Sequence, residues 1–124
     1  MGFFKRALDR LNQTDESRLA DELQTWAAKA VPDSVRIAAA QPRTRVRLAG
    51  VVRRITVRPV HGFDALQIQL YDGTGDVSVQ WLGRRTIPGL TLGSLLMVEG
   101  MLGLDRGGRR MVNPLYEFLP APEA

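Results

Sequence analysis

The chain is 124 residues long, 44% hydrophobic and 24% charged, which suits one globular domain and argues against wholesale disorder. It contains no cysteine and one histidine, His61, so disulfides, thiolate chemistry and a zinc site built from Cys and His are excluded. The formal net charge is +4 and unevenly placed: residues 1–42 hold six basic and six acidic side chains, residues 43–124 eleven and seven.

The first six residues lack the apolar core of a signal peptide, and Arg6 stands where a myristoylation motif needs Ser or Thr. No apolar stretch approaches the roughly 18 residues of a membrane span. A cytoplasmic protein with no membrane attachment and no cofactor is the expectation. Phe4, Ala7, Leu8 and Leu11 recur at helical spacing and predict a short helix over 2–11. Thr14, followed by Asp15 and Glu16, reads as the cap of a second helix over 15–30, with acids where the helix dipole favours them. Leu19, Leu23, Trp26 and Ala27 form its apolar stripe, which must be buried on the rest of the chain or on a second subunit, so a homo-oligomer is among the expectations. The basic start of the chain also has the look of a short membrane-surface helix, but its acids and brevity favour docking on protein. Pro32 ends the second helix, and 31–42 read as a linker.

From Arg43 the period changes to two. Val46 and Leu48 lie on even numbers and Val51, Ile55 and Val57 on odd ones, so a change of face at Gly50 predicts a bulge or bend inside one long strand. Residues 59–62 read as a turn. Leu66, Ile68 and Leu70 then alternate with Gln67, Gln69 and Tyr71; Asp72-Gly73-Thr74-Gly75 is a hairpin turn; Val77, Val79 and Trp81 alternate with Ser78, Gln80 and Leu82. Trp81, in phase with two valines, is assigned to the core. Residues 83–94, with Gly83, Pro88, Gly89 and Gly93, form a connection. A fourth strand is predicted over 95–104, a turn at 105–108, and a fifth strand over 109–118 with Pro114 at an edge or bulge. The expected organisation is helices and linker over 1–42, a barrel over 43–119 and a tail over 120–124. Five strands, a break between the third and fourth, and a long bent first strand are the layout of an OB-fold, a small Greek-key barrel.

The segments 46–52, 66–75 and 77–89, together with Val98-Glu99-Gly100 and Asn113-Pro114-Leu115-Tyr116, resemble small bacterial OB-fold nucleic-acid-binding proteins, mainly of the actinobacterial type. More distantly the barrel is similar to the wedge domain of RecG and to tRNA anticodon-binding OB domains. The resemblance implies the OB-fold and nucleic-acid binding, and names no ligand.

The binding face of such a barrel is formed by its second and third strands. Gln67, Gln69, Ser78 and Gln80 supply groups that hydrogen-bond base edges, and Tyr71 is the aromatic this reading offers for stacking. Arginine grips phosphate with two donors. Arg54 and Arg58 lie outward on the first strand, Arg84 and Arg85 open the connection, and Arg106, Arg109 and Arg110 surround the Gly107-Gly108 turn. The bland alternative is a solvated basic surface that blunts strand edges. Residues 72–76 lack the later ligands of a calcium loop, residues 83–89 lack the Gly-Lys-Ser/Thr ending of a phosphate loop, and His61 has no evident triad. The carboxylates at 64, 72, 76 and 99 are not paired in the sequence, so no catalysis is expected. The function expected is non-catalytic binding of single-stranded or branched DNA or RNA with little sequence specificity. The alternative is a protein-interaction module that recruits a larger DNA- or RNA-processing factor.

Overall fold

The computed structural model describes residues 13–122, and the helix expected over 2–11 lies outside the described residues. Helix α1 (Gln13–Ala30) begins slightly earlier than the sequence predicts, so that Thr14 lies inside it. Asp15 and Glu16 stand in its first turn and Lys29 in its last, matching the macrodipole at both ends. Its stripe of Leu19, Leu23, Trp26 and Ala27 is buried, with Leu23 fully enclosed.

Six strands follow: β1 (Arg45–Val60), β2 (Phe63–Tyr71), β3 (Asp76–Leu82), β4 (Leu95–Asp105), β5 (Gly108–Val112) and β6 (Leu115–Phe118). The order β1-β2-β3-β5-β4, with β4 also paired to β1, closes a five-stranded ring. All pairings are antiparallel except β3 with β5, which run parallel over three residue pairs from Ser78↔Arg110 to Gln80↔Val112. This is an OB-fold barrel with an N-terminal helix.

The predicted fifth strand is two strands. Both lie antiparallel along β4, but β5 pairs Leu102↔Met111 and β6 pairs Leu96↔Phe118, one residue out of step. The break falls where Asn113 takes a left-handed φ of 53° and Pro114 follows without an N–H to donate. Asn113 repairs the break: its N–H donates to the Gln80 carbonyl at 2.7 Å, and its Oδ1 accepts from Leu82 N at 2.8 Å.

The change of face in β1 is real but displaced. Leu48 and Val52 point into the barrel while Ala49 and Val51 point outward under α1. The register with β2 shifts between Val52 and Arg54, after which Ile55 is inward. The bulge therefore sits at Arg53 rather than Gly50, and Val51 is not a barrel-interior residue. Gly50 answers a different need: a Cβ there would lie 2.6 Å from the Tyr71 carbonyl oxygen. Residues 59 and 60 belong to β1, which leaves His61 and Gly62 as a tight turn with both φ angles positive.

Trp81 is in the core, as its phase predicts, with Nε1 donating to the Pro114 carbonyl at 3.1 Å and its ring edge-on to Tyr116. The linker contributes more than connection. Its 3₁₀ turn (Ile37–Ala39) drives Ile37 fully into the barrel core. Asp72, only 3% exposed, fastens it: Oδ2 accepts from Ile37 N, while Oδ1 accepts from Thr74 N, Thr74 Oγ1 and Gly75 N. The 72–75 segment is thus a hairpin turn whose acid is fully used by its own neighbours, and no three His, Cys, Asp or Glu converge to hold a metal among the described residues.

Candidate functional site

Alternation along β2 and β3 sends Leu66, Ile68, Leu70, Val77 and Val79 into the core and leaves the intervening residues outside. Cross-strand register then assembles polar rows on the outer face. One row runs Arg54, Gln69, Ser78, Arg110 and the next Thr56, Gln67, Gln80, Val112, each crossing β1, β2, β3 and β5. Over these rows lies a groove of about 220 Å³ lined by Arg58, Gln67, Gln69, Ser78, Gln80, Asp105, Gly107, Arg109 and Arg110. The end of β1 forms one wall and the β4–β5 hairpin the other.

Side chains in the groove are held in place. Gln67 Oε1 accepts from Gln80 Nε2 at 2.8 Å and from Arg58 Nη1 at 3.3 Å. Arg109 Nη2 donates to the Ala38 carbonyl at 2.8 Å, which ties the groove wall to the linker turn. Arg110 Nη1 lies 3.3 Å from Asp105 Oδ2, and Asp105 Oδ1 accepts from Gly107 N. Three guanidinium groups face one carboxylate, so the groove presents net positive charge to an anion.

Of the residues singled out from the sequence, Arg58, Gln67, Gln69, Ser78, Gln80, Arg109 and Arg110 come together in this groove. Arg54, Tyr71, Arg84, Arg85 and Arg106 do not line it. Arg54 stands across from Gln69 at the end of its row. Arg85 pairs with Asp64 on the far part of β2. Arg84 and Arg106 are exposed and carry no ion pair among the described residues. Tyr71 lies in the helix-side layer beneath α1, with the Arg53 guanidinium 4.1 Å from its ring centroid. Burial pushes its phenol above the ordinary tyrosine range, against the opposing pull of Arg53. A base has no open access to the ring face that Arg53 covers.

Other arginines of β1 serve the barrel itself. Arg45 and Arg47 both grip Glu99, and Arg47 also holds Asp33. The hydrogen bonds from Arg47 and then Arg45 hold the Glu99 carboxyl below the usual carboxylate range. The same bond to Glu99, reinforced by Asp33, raises Arg47.

The sequence reading missed two residues that line the groove and one exposed aromatic that does not. Asp105 and Gly107 line the groove, hidden in a segment read only as a turn. Phe63 is the third. It shares the outward parity of Gln67 and Gln69 and is 68% exposed at the start of β2. The parity was there to read, but β2 begins three residues before the run of leucines that announced it. A second cavity of about 270 Å³ lies between α1 and the linker, lined in part by Gln24, Thr25, Arg36 and Asp72. Its buried acid is already satisfied four times over.

Among the described residues no helix is long and apolar enough to cross a membrane. Neither a protein-family profile nor a curated protein sequence matches the chain. Solved structures do. RecG bound to a three-way DNA junction superposes with a TM-score of 0.57 at 17% identity, over 72% of this chain and 12% of that one. A Replication Protein A heterotrimer bound to single-stranded DNA gives a TM-score of 0.48 at 14% identity, over 78% of this chain and 79% of that one. The RecG likeness supports the fold; this chain spans about an eighth of that protein's length.

Proposed function

We propose that this protein binds nucleic acid without catalysis, holding a single strand or the unpaired arm of a junction across the β2–β3 face. The observation that carries the reading is the groove: a floor of two rows of amide and hydroxyl side chains, walled by Arg58 on one side and Arg109 and Arg110 on the other. Such a floor and rim suit a ligand that is anionic along its backbone and polar along its bases. The structural neighbour with the same fold was solved on a DNA junction, which agrees with this reading. Phe63, exposed on the same face of β2, takes the stacking role in place of the covered Tyr71.

The test is fluorescence anisotropy with single-stranded, duplex and forked DNA and RNA at two salt concentrations. Single strands and forks are expected to bind more tightly than duplex. The log–log salt slope should be about −2 if three arginines each neutralise a phosphate at roughly −0.7 apiece. Replacing Phe63 with Ala should weaken binding about tenfold or more while leaving that slope unchanged. Absence of binding to every one of these ligands at low salt would leave the protein-interaction reading in its place.

A further inference from the structure

We infer that the groove floor grips the Watson–Crick edge of an unpaired base through a donor and an acceptor whose orientation Arg58 dictates; this rests on the nucleic-acid reading above. A guanidinium offers only N–H donors. With Arg58 Nη1 3.3 Å from Gln67, that amide must present its oxygen, because the opposite orientation would set an NH₂ against a cation. The same oxygen accepts from Gln80 Nε2 at 2.8 Å, so the second amide is fixed as well. Among the described residues nothing engages the NH₂ of Gln67 or the carbonyl of Gln80, its cross-strand partner.

That carbonyl matters because Gln80 is only 9% exposed. Among the described residues no side-chain N or O is both fully buried and unbonded. The Gln80 Oε1 therefore opens onto the groove that Gln80 lines. An amide oxygen in so enclosed a place is stabilised by a donor, from water or from a ligand.

A phosphate oxygen cannot be that donor. It only accepts, and would face the Gln80 carbonyl with like polarity. A base edge can. Adenine offers N1 beside the N6 amino group, cytosine N3 beside N4, guanine O6 beside N1–H, and uracil or thymine O4 beside N3–H. Each has an acceptor next to a donor, the complement of the Gln67 NH₂ and Gln80 carbonyl. Pairing in a duplex occupies this edge, so only an unpaired base can present it. Because all four bases share the pattern, the contact selects unpaired over paired strands without choosing a sequence. Arg109 and Arg110, on the opposite wall, are left for the backbone phosphates.

The experiment compares the full chain on a single strand and on the same strand with abasic sites, each at two salt concentrations, and repeats both with Gln80→Met. The parent should bind the abasic strand about tenfold more weakly with the same salt slope. Gln80→Met should bind the base-bearing strand several-fold more weakly than the parent and the abasic strand equally well, a double-mutant cycle with base removal as its second arm. Circular dichroism checks that the variant folds; Gln67→Met replaces it if it does not. Equal binding of base-bearing and abasic strands, or a folded Gln80→Met or Gln67→Met that loses affinity for both alike, would overturn the inference while leaving nucleic-acid binding intact. Failure to bind either strand at low salt would instead overturn the reading on which it rests.

Discussion

Gly50 and Glu99 show how much single positions contribute beyond the groove. Adding one carbon at Gly50 places it 2.6 Å from the Tyr71 backbone oxygen, which cannot rotate away. Gly50→Ala is therefore expected to cost roughly 1–3 kcal/mol in urea unfolding, as overpacked cores do. Gly103→Ala, whose new carbon meets nothing nearer than 3.5 Å, should be close to neutral. Glu99 makes a prediction in pH. Its folded carboxyl is held below its unfolded value by Arg47 and Arg45, so the stability it confers is complete above the unfolded range, near 4.3. It is lost as pH falls through the lowered folded value. Thermal melts from pH 7 to pH 3 should show a steeper acid loss in the parent than in Glu99→Gln. The importance of Gly50 was visible in the sequence because the apolar positions change parity across it. Its reason was not, since the close backbone approach is set by Tyr71, on the next strand. The bulge at Arg53 was invisible for the opposite reason: no glycine marks it.

Helix α1 and the strands it covers form a second apolar layer outside the barrel. Leu19, Leu23 and Trp26 pack on Ala49, Val51 and Leu95, which belong to β1 and β4. Leu23→Ala, at a fully enclosed site, is expected to cost about 2–5 kcal/mol. Removing residues 1–30 should uncover Val51 and Leu95 and raise the mass measured by light scattering. An unchanged mass and melting temperature would mean that the layer contributes little. The stripe itself was legible from its spacing of three and four. Its destination was not, and the phase of Val51 could not place that residue under α1: alternation gives two faces but does not say which is roofed by a helix. The division of the last strand was half legible. Pro114 announced an irregularity, whereas the left-handed Asn113 beside it depends on bonds to β3 that no local pattern reveals.

Across the molecule, the arginines divide by use rather than by position in the chain. Residues 43–58 hold six arginines and no acid, yet Arg45, Arg47 and Arg53 are engaged with Glu99, Asp33 and Asp76, and of that run Arg58 lines the groove. Linear density of charge does not report which charges meet an acid after folding. Arg109→Ala with Arg110→Ala should flatten the salt slope of binding by about 1–1.5 units. Arg45→Ala, taken from the Glu99 cluster, should lower stability slightly and leave the slope unchanged. A slope that responded to Arg45 as strongly as to the pair would relocate the interface to the β1–β4 face.

The ring is closed by the shortest of its pairings, three parallel residue pairs between β3 and β5. Those strands also carry the groove, with Ser78 and Gln80 on one side of the join and Arg109 and Arg110 on the other. A bound strand would straddle the join like a clasp, linking chain segments about thirty residues apart in sequence. Occupancy and ring closure then become one equilibrium, in which ligand raises the free energy of opening as its concentration exceeds Kd. Amide hydrogen exchange offers a direct view of it. The Asn113 N–H, which bonds to Gln80 at the end of the join, should exchange markedly more slowly with oligonucleotide present, while the amides of α1, packed on the other flank of the barrel, should keep their rates.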